Sequence, residues 1–376
     1  MENSKDNYNK THIPIIIGNY SPFRLVLRNE DLWEPTLEEI NNISYDYVKL
    51  SRLSTFIDVG IAPFSMGIGF DGSLVLPAIP EFQTRDAAIN KFNETLGILV
   101  LGGIYCEAVQ PIDVSYGSLF FDGYVKQHGG SDGYNSSFHH AMKMKLIGTI
   151  DAIKLLKPNF VTVKELSIAY QTGKDYLSKA GKISPNLLLN GTSNYVKHQW
   201  TESLVFVWTA IEQLINIIWE GEIVSNVKNA KDSINGRAKF LQDYRTWTTS
   251  TRIEMLYQKG IIKKREYQLL NIARKSRNDF VHNGKPISEE KTRAALESLF
   301  RLISLKISDY ENALLLDATF EMILKNQRGE LFPKKTIFTK DEISHWLEIP
   351  PLPGDTNWNL GKYEIIEELV LKPIKN

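Results

Sequence analysis

The period of the apolar residues changes near residue 139, and this change constrains the fold more than any other sequence feature. Before it, short apolar runs alternate with Gly, Asp and Pro, as in strands joined by turns. After it, apolar residues recur every three or four positions, as in helices. The 376 residues also suffice for two domains. We therefore predict an α+β domain over 1–138, an all-α helical bundle over 139–325, and a C-terminal extension over 326–376 whose structure stays open.

The N-terminal region has the pattern of strands with one helix among them. Branched apolar runs predict strands over 13–17, 23–27 and 118–126, and an apolar stripe predicts a helix over 85–101. Asp71-Gly72, which separates two further apolar runs, predicts a β-hairpin. The segment 67–72 also matches G-x-G-x-x-G, but it continues into a strand where a dinucleotide site needs a helix. We therefore interpret it as a hairpin only.

The second region has helical patterns throughout. The predicted helices cover residues 139–157, 162–180, 200–219, 238–247, 253–258, 264–282 and 291–324. The helix over 200–219 is mostly apolar, which is typical of a central bundle helix. Beyond the bundle, we predict a short helix over 339–347 and a strand over 365–371, which would either join the first domain or pack on the bundle.

The charges are distributed unevenly along the chain. Lys and Arg together number 44, as do Asp and Glu, so the formal net charge is zero. Between residues 231 and 293, however, 15 Lys and Arg residues stand against 7 Asp and Glu residues, an excess of eight positive charges. Such asymmetry indicates a part of the protein that faces a polyanion.

Several site classes are excluded by what the sequence lacks. Cys106 is the single cysteine, which excludes an intrachain disulfide and cysteine-cluster metal sites. A chain with so few cysteines is typical of the reducing cytoplasm, where we expect this protein. His139 and His140 are adjacent, so on a helix they point about 100° apart and do not easily bind one metal ion. No Walker, zincin or nucleophile-elbow motif is present. We therefore expect no cofactor and no metal. The longest apolar stretch is interrupted by Glu212, and we expect no membrane association.

The segment over 273–284, Ala-Arg-Lys-Ser-Arg-Asn-Asp-Phe-Val-His-Asn-Gly, carries the clearest functional signal. It resembles the HEPN family, whose mark is an Arg, usually a polar residue next, and a His after four to six residues. Arg277, Asn278 and His282 match this pattern. Glu212 matches the acidic residue that the family carries on an earlier, mostly apolar helix. The resemblance covers about residues 195–317.

This resemblance implies a four-helix bundle, a metal-independent ribonuclease site and a homodimer. Arg277, Asn278 and His282 would be the catalytic residues, Glu212 would support them, and the product would carry a cyclic phosphate. Large two-domain bacterial members of the family, including anti-phage proteins, join such a bundle to a diverse N-terminal domain. We therefore expect a cytoplasmic endoribonuclease that acts as a defence effector or toxin, with RNA as substrate and a protein trigger or inhibitor as a further partner.

The chemistry of these residue types agrees with that expectation. On a helix Asn278 and His282, four residues apart, share a face, with Arg277 beside it. We expect Leu269, Ala273 and Phe280 to face the core. An Arg can bind a phosphate with two donors, and RNA supplies its own nucleophile, the 2′-hydroxyl. The expected contacts to the RNA backbone are Lys263, Lys264, Arg265, Arg274, Lys275 and Lys285.

Two alternatives stay open at this point. A HEPN module without catalytic activity would dimerise and bind RNA or a protein partner. A metal-dependent enzyme could instead have its site in the N-terminal domain.

Overall fold

The computed structural model describes residues 12–129, 131–181, 183–230, 234–307 and 310–329, with the single residues 339, 340, 343 and 356. Contacts divide the chain into a compact unit over 1–328 and a second unit over 329–376. The first unit has an antiparallel sheet with helices, followed by a helical region, so the coarse fold class is confirmed. The helix predicted over 339–347 and the strand predicted over 365–371 fall almost wholly outside the described residues.

The strands form two sheets. In chain order they are β1 His12–Gly18, β2 Arg24–Leu27, β3 Leu53–Ile57, β4 Met66–Gly69, β5 Leu74–Pro77, β6 Val114–Phe120, β7 Val125–Gln127 and β8 Asn159–Thr162. Six of them make an antiparallel sheet in the order β3-β4-β5-β1-β6-β7, and β2 pairs with β8 in parallel. Ile16 on β1 lies opposite Leu76 on β5 and Tyr116 on β6. The sheet thus places β1 between strands from two hairpins.

Both Asp-Gly pairs beside strands make hairpin turns. Asp71-Gly72 connects β4 to β5, as predicted, with Gly72 at a φ of 80° that favours glycine. The single strand predicted over 118–126 is wrong, because Asp122-Gly123 divides it into β6 and β7. Gly123, at a φ of 86°, reverses the chain there.

Fourteen helices are described in these residues. They are α1 Leu37–Asn41, α2 Tyr47–Leu50, α3 Arg85–Leu101, α4 Tyr134–Lys143, α5 Thr149–Leu156, α6 Val163–Ala180, α7 Pro185–Val196, α8 Trp200–Trp219, α9 Ser225–Lys228, α10 Arg237–Gln242, α11 Thr249–Gln258, α12 Lys264–Asn283, α13 Glu289–Lys306 and α14 Tyr310–Lys325. A π-helical turn, Glu220–Val224, joins α8 to α9. The predictions of α3, α6, α8 and α12 are confirmed.

Two long predicted helices are each two helices in the structure. The helix predicted over 139–157 is interrupted between α4 and α5, where Lys145 has a φ of 57°, a left-handed conformation that ends a helix. The helix predicted over 291–324 ends at Lys306, because Ile307 has an extended backbone. Apolar spacing alone continues across both interruptions, so it does not reveal them.

Helix α3 joins the sheet to the helical region through close contacts at glycines. A Cβ on Gly173 of α6 would lie 2.0 Å from the carbonyl oxygen of Ile98 on α3. A Cβ on Gly18 of β1 would lie 2.7 Å from the ring of Phe92 on the same helix. One apolar core extends from the sheet residues to α13 and α14. The predicted domain boundary at residue 138 stays a prediction, while the core is continuous across it.

Helix α8 is the central helix of the helical region. Its buried residues recur with helical spacing, and it packs against α7, α11, α12 and α13. Trp219 near its end is 1% exposed and donates from Nε1 to the carbonyl oxygen of Leu241 at 2.8 Å. Among the described residues one helix, Trp200–Lys228, is long and apolar enough to cross a membrane, and half of that window is buried inside the fold. Core helices of globular proteins pass the same test.

Candidate functional site

The helix α12 carries the Arg-Asn-His segment at its C-terminal end. It packs against α8, α11 and α13, and its buried residues are Glu266, Leu270, Ala273 and Ser276. The prediction that Leu269 faces the core is wrong by one residue, because Leu269 is half-buried and the next residue, Leu270, is fully buried. The helix ends at Gly284, whose φ of 62° makes the left-handed cap that Asn-Gly predicts.

Arg277, Asn278 and His282 differ in exposure. Arg277 follows the buried Ala273 by one helical turn, and both Arg277 and Asn278 are half-buried, whereas His282 is exposed. The Nη1 atom of Arg277 donates to Oδ1 of Asn278 at 3.3 Å. This bond holds the guanidinium beside the amide at the edge of the packed surface.

Within one chain the three side chains are brought together only in part, because the one hydrogen bond among them joins Arg277 to Asn278. Because α12 is continuous, Asn278 and His282 lie on one face. Arg277 and His282 are five residues apart, which separates their directions by roughly 140° and their positions by roughly 7.5 Å along the helix. The guanidinium of Arg277 reaches the Asn278 side chain, but among the described residues His282 makes no hydrogen bond to Arg277 or Asn278.

Glu212 lies on α8 and is half-buried. Its Oε1 atom accepts a hydrogen bond from Oγ1 of Thr249, the first residue of α11, at 3.4 Å. Among the described residues it makes no hydrogen bond to Arg277, Asn278 or His282. Its direct role in this conformation is therefore to connect α8 with α11.

The six predicted phosphate contacts fall into two groups. Lys263, Lys264 and Lys275 are exposed, and none of them has an ion pair among the described residues. The other three have partners in the fold. Arg265 pairs with Glu297 at 2.6 Å, Lys285 approaches Asp279 at 3.9 Å, and Arg274 donates to Asn271 at 3.3 Å. The three unpaired lysines are the ones ready to bind an anion.

A second cluster of ionisable side chains was not predicted from the sequence. His139 Nδ1 lies 2.7 Å, and Lys143 Nζ 2.6 Å, from Oδ2 of Asp71. All three side chains are buried, whereas His140 is half-buried. Burial alone would raise the pKa of Asp71, but the charges of Lys143 and His139 and their hydrogen bonds hold it well below its usual range. Asp71 belongs to the hairpin turn, so its sequence signal indicated a turn and nothing more.

Within the residues that the structure describes, no group of three or more His, Cys, Asp or Glu side chains is arranged to hold a metal ion. Cys106 is buried, and burial raises the pKa of its thiol to about 11. It is therefore not a reactive thiolate near neutral pH.

No family model, no curated protein and no solved structure matches the chain. The features of this chain that bear on its function are therefore those of the Arg-Asn-His segment and its surroundings.

Proposed function

We propose that this protein is a metal-independent endoribonuclease of HEPN type, whose site is completed by a second copy of the chain. The observation that best supports this proposal is the position of Arg277, Asn278 and His282 at the capped C-terminal end of one helix. Lys275, two residues before Arg277, is exposed and has no ion pair among the described residues, while the unpaired Lys263 and Lys264 lie at the opposite end of the same helix. The proposed location is the cytoplasm, where RNA is available.

The chemistry needs only groups that this chain and the RNA possess. The 2′-hydroxyl attacks the adjacent phosphorus, the bond from phosphorus to the 5′-oxygen breaks, and a proton passes to that leaving oxygen. His282 carries a proton in this transfer, and Arg277 stabilises the negative charge that develops on the phosphate oxygens. The products are a 2′,3′-cyclic phosphate and a 5′-hydroxyl end.

The divergence of Arg277 and His282 supports a dimeric site. The two side chains leave α12 in directions roughly 140° apart. Among the described residues no hydrogen bond joins His282 to Arg277 or Asn278, so one chain holds no assembled Arg-His pair. A two-fold axis beside the exposed face of His282 would bring Arg277 of one copy towards His282 of the other. Asn278, bonded to Arg277, would hold the guanidinium in position.

The second candidate is a HEPN module that dimerises and binds RNA or a protein without cleaving it. The separation of Arg277 and His282 on α12 also favours this alternative, because the two residues do not form a catalytic pair within an isolated chain. The N-terminal sheet domain would, in either case, sense a trigger or select the substrate.

Cleavage in the presence of EDTA tests the proposal. The purified protein is incubated with structured and with unstructured RNA, and the ends of the products are identified by mass. We expect cyclic-phosphate ends that disappear in Arg277→Ala and in His282→Ala. The matched control is Gln268→Ala, an exposed polar position on the same helix.

Three outcomes separate the candidates. RNA binding without cleavage in the wild type and in both variants, with either RNA, supports the non-catalytic module. Activity that survives His282→Ala but is lost with EDTA supports a metal-dependent site elsewhere. Loss of activity in Gln268→Ala as well would assign the effect to the helix rather than to Arg277 and His282.

A further inference from the structure

A cavity of about 340 Å³ lies in the N-terminal part of the fold, on other elements than α12. It is lined by the loop between β1 and β2, by α4, by the end of α5 and by the segment around Tyr105. Asn326, which follows α14, also lines it. Its volume falls in the range of pockets that bind small molecules.

His139, which is buried, is one of the residues that line this cavity. Its Nδ1 atom is occupied by Asp71, which Lys143 also binds. Among the described residues its Nε2 atom has no hydrogen bond, and it is not one of the buried unpaired polar atoms. Since the two ring nitrogens lie on opposite edges of the imidazole, Nε2 is the polar atom that His139 offers to the cavity. The ionic cluster behind the ring fixes its orientation.

Two lysines line the same cavity. Lys157 is exposed and has no ion pair among the described residues. Lys154 pairs with Asp151 at 3.0 Å and lies over the rings of Tyr134 and Phe138, 4.4 Å and 4.9 Å from their centroids. Together with His139 they give the lining of the cavity cationic and hydrogen-bonding groups. Such a lining suits a phosphate group.

Aromatic rings form another part of the lining. Phe23 and Phe138 meet edge to face with centroids 5.0 Å apart, and Phe23 also meets the ring of His139 at 5.6 Å. Ring edges and faces of this kind pack well against a planar heterocycle. Glu107 also lines the cavity; it is held by Lys197 at 3.1 Å and by Arg328 at 3.3 Å, and its carboxylate can accept from N–H donors.

From this lining we infer that the cavity is a binding site for a free mononucleotide. The phosphate would contact Lys157, Lys154 and Nε2 of His139, and the base would pack against the half-buried ring of Phe23, which Phe138 supports from behind. This inference rests on the cavity alone and does not depend on the proposed ribonuclease activity. The site would give the N-terminal domain a ligand of its own.

Calorimetric titration with the four ribonucleoside 5′-monophosphates tests the inference on the full-length protein. At least one nucleotide should bind saturably with one equivalent, and both inorganic phosphate and the matching nucleoside should bind more weakly. In Lys157→Glu, the affinity for that nucleotide should fall about tenfold or more, because one charge-assisted contact becomes a repulsion. The matched control is Lys179→Glu, another exposed lysine, on α6 and outside the cavity.

His139→Gln provides the second variant, and a thermal unfolding scan shows whether it is folded. If it is folded, its affinity should also fall. The inference is overturned if no nucleotide binds, or if Lys157→Glu binds as tightly as the wild type. It is equally overturned if a 5′-phosphorylated RNA oligonucleotide binds while every free nucleotide fails to bind.

Discussion

The Nζ atom of Lys143 lies 2.6 Å from Oδ2 of Asp71, and both side chains are buried. The same oxygen binds His139, and the other carboxylate oxygen accepts from Oγ of Ser73 at 2.6 Å. A carboxylate with this many partners connects the β4–β5 hairpin to α4. Removing its charge leaves a buried ammonium group without its counter-ion.

We therefore expect Asp71→Asn to lower the free energy of unfolding by about 3–5 kcal/mol at pH 7, measured by chemical denaturation. The matched control is Asp132→Asn, an exposed carboxylate, which should change stability by less than about 0.5 kcal/mol. Equal stability of the two variants would contradict the role of Asp71 in joining the hairpin to α4.

The pH dependence of this contribution has a definite sign. Because the folded protein lowers the pKa of Asp71, the stabilisation is fully present above the ordinary carboxyl value of 3.8. It decreases progressively as the pH falls below that value, since the unfolded chain then binds a proton that the folded chain does not. The difference between wild type and Asp71→Asn should therefore become smaller on acidification from pH 5 to pH 2, if both remain folded enough to measure.

The close approach of α3 and α6 gives a packing prediction. Gly173→Ala places a methyl group where the carbonyl oxygen of Ile98 already lies, so the helices must separate. We expect a loss of about 1–3 kcal/mol in the free energy of unfolding. Gly148→Ala is the control, because a Cβ at Gly148 meets nothing within 4 Å. If Gly173→Ala unfolds with the same free energy as the wild type, α3 and α6 do not pack as closely as the 2.0 Å separation requires.

The sequence predicts those elements best that carry both a periodic pattern and a local stop signal. Helix α6 has Thr162 and Glu165 as a capping box, with Glu165 N donating to Oγ1 of Thr162 at 3.1 Å, and it ends at Gly181. Helix α12 likewise ends at Asn-Gly. Where a helix ends without such a signal, as at Ile307, the apolar spacing extends the prediction too far.

The ionic cluster and the cavity were beyond reach of the sequence for a different reason. Asp71 and His139 are 68 residues apart, and their contact depends on how α4 packs against the β4–β5 turn. No local propensity encodes a contact of that separation. The Arg-Asn-His segment was accessible because its residues are neighbours on one helix, but how a second copy would approach it is a property of the surface and not of the spacing.

Differences among the basic residues lead to a prediction about RNA binding. Lys264→Ala should weaken binding to all RNA sequences and lower the salt dependence by about one counter-ion, because the exposed ammonium has no partner among the described residues. Arg265→Ala should weaken binding less, since Arg265 already pairs with Glu297. Filter binding at several salt concentrations measures both effects. A larger effect for Arg265→Ala would show that its ion pair opens on binding.

The surface beside Arg277 makes a prediction about oligomeric state. Val281, 51% exposed, lies four residues after Arg277 on the same face of α12, whereas Ile272, 44% exposed, lies nine residues before Val281 and thus on the opposite side of the helix from it. We expect Val281→Asp to shift the protein from dimer to monomer in sedimentation experiments and Ile272→Asp to leave the dimer intact. The reverse pattern would place the contact between copies on the other side of the helix.

Mixing two inactive variants tests whether Arg277 and His282 act from different copies. If one site uses Arg277 of one copy and His282 of the other, a mixed dimer of Arg277→Ala and His282→Ala retains one site with both residues and one with neither. Random exchange makes about half of all dimers mixed, so the mixture should recover about one quarter of the wild-type cleavage rate. Each variant alone, refolded or exchanged in the same way, should stay inactive.

The contradicting outcome is a mixture that stays inactive although mass measurement shows that it contains mixed dimers. Each site would then need Arg277 and His282 from the same chain, or would need both residues from both chains. Recovery would establish that one site takes Arg277 from one copy and His282 from the other.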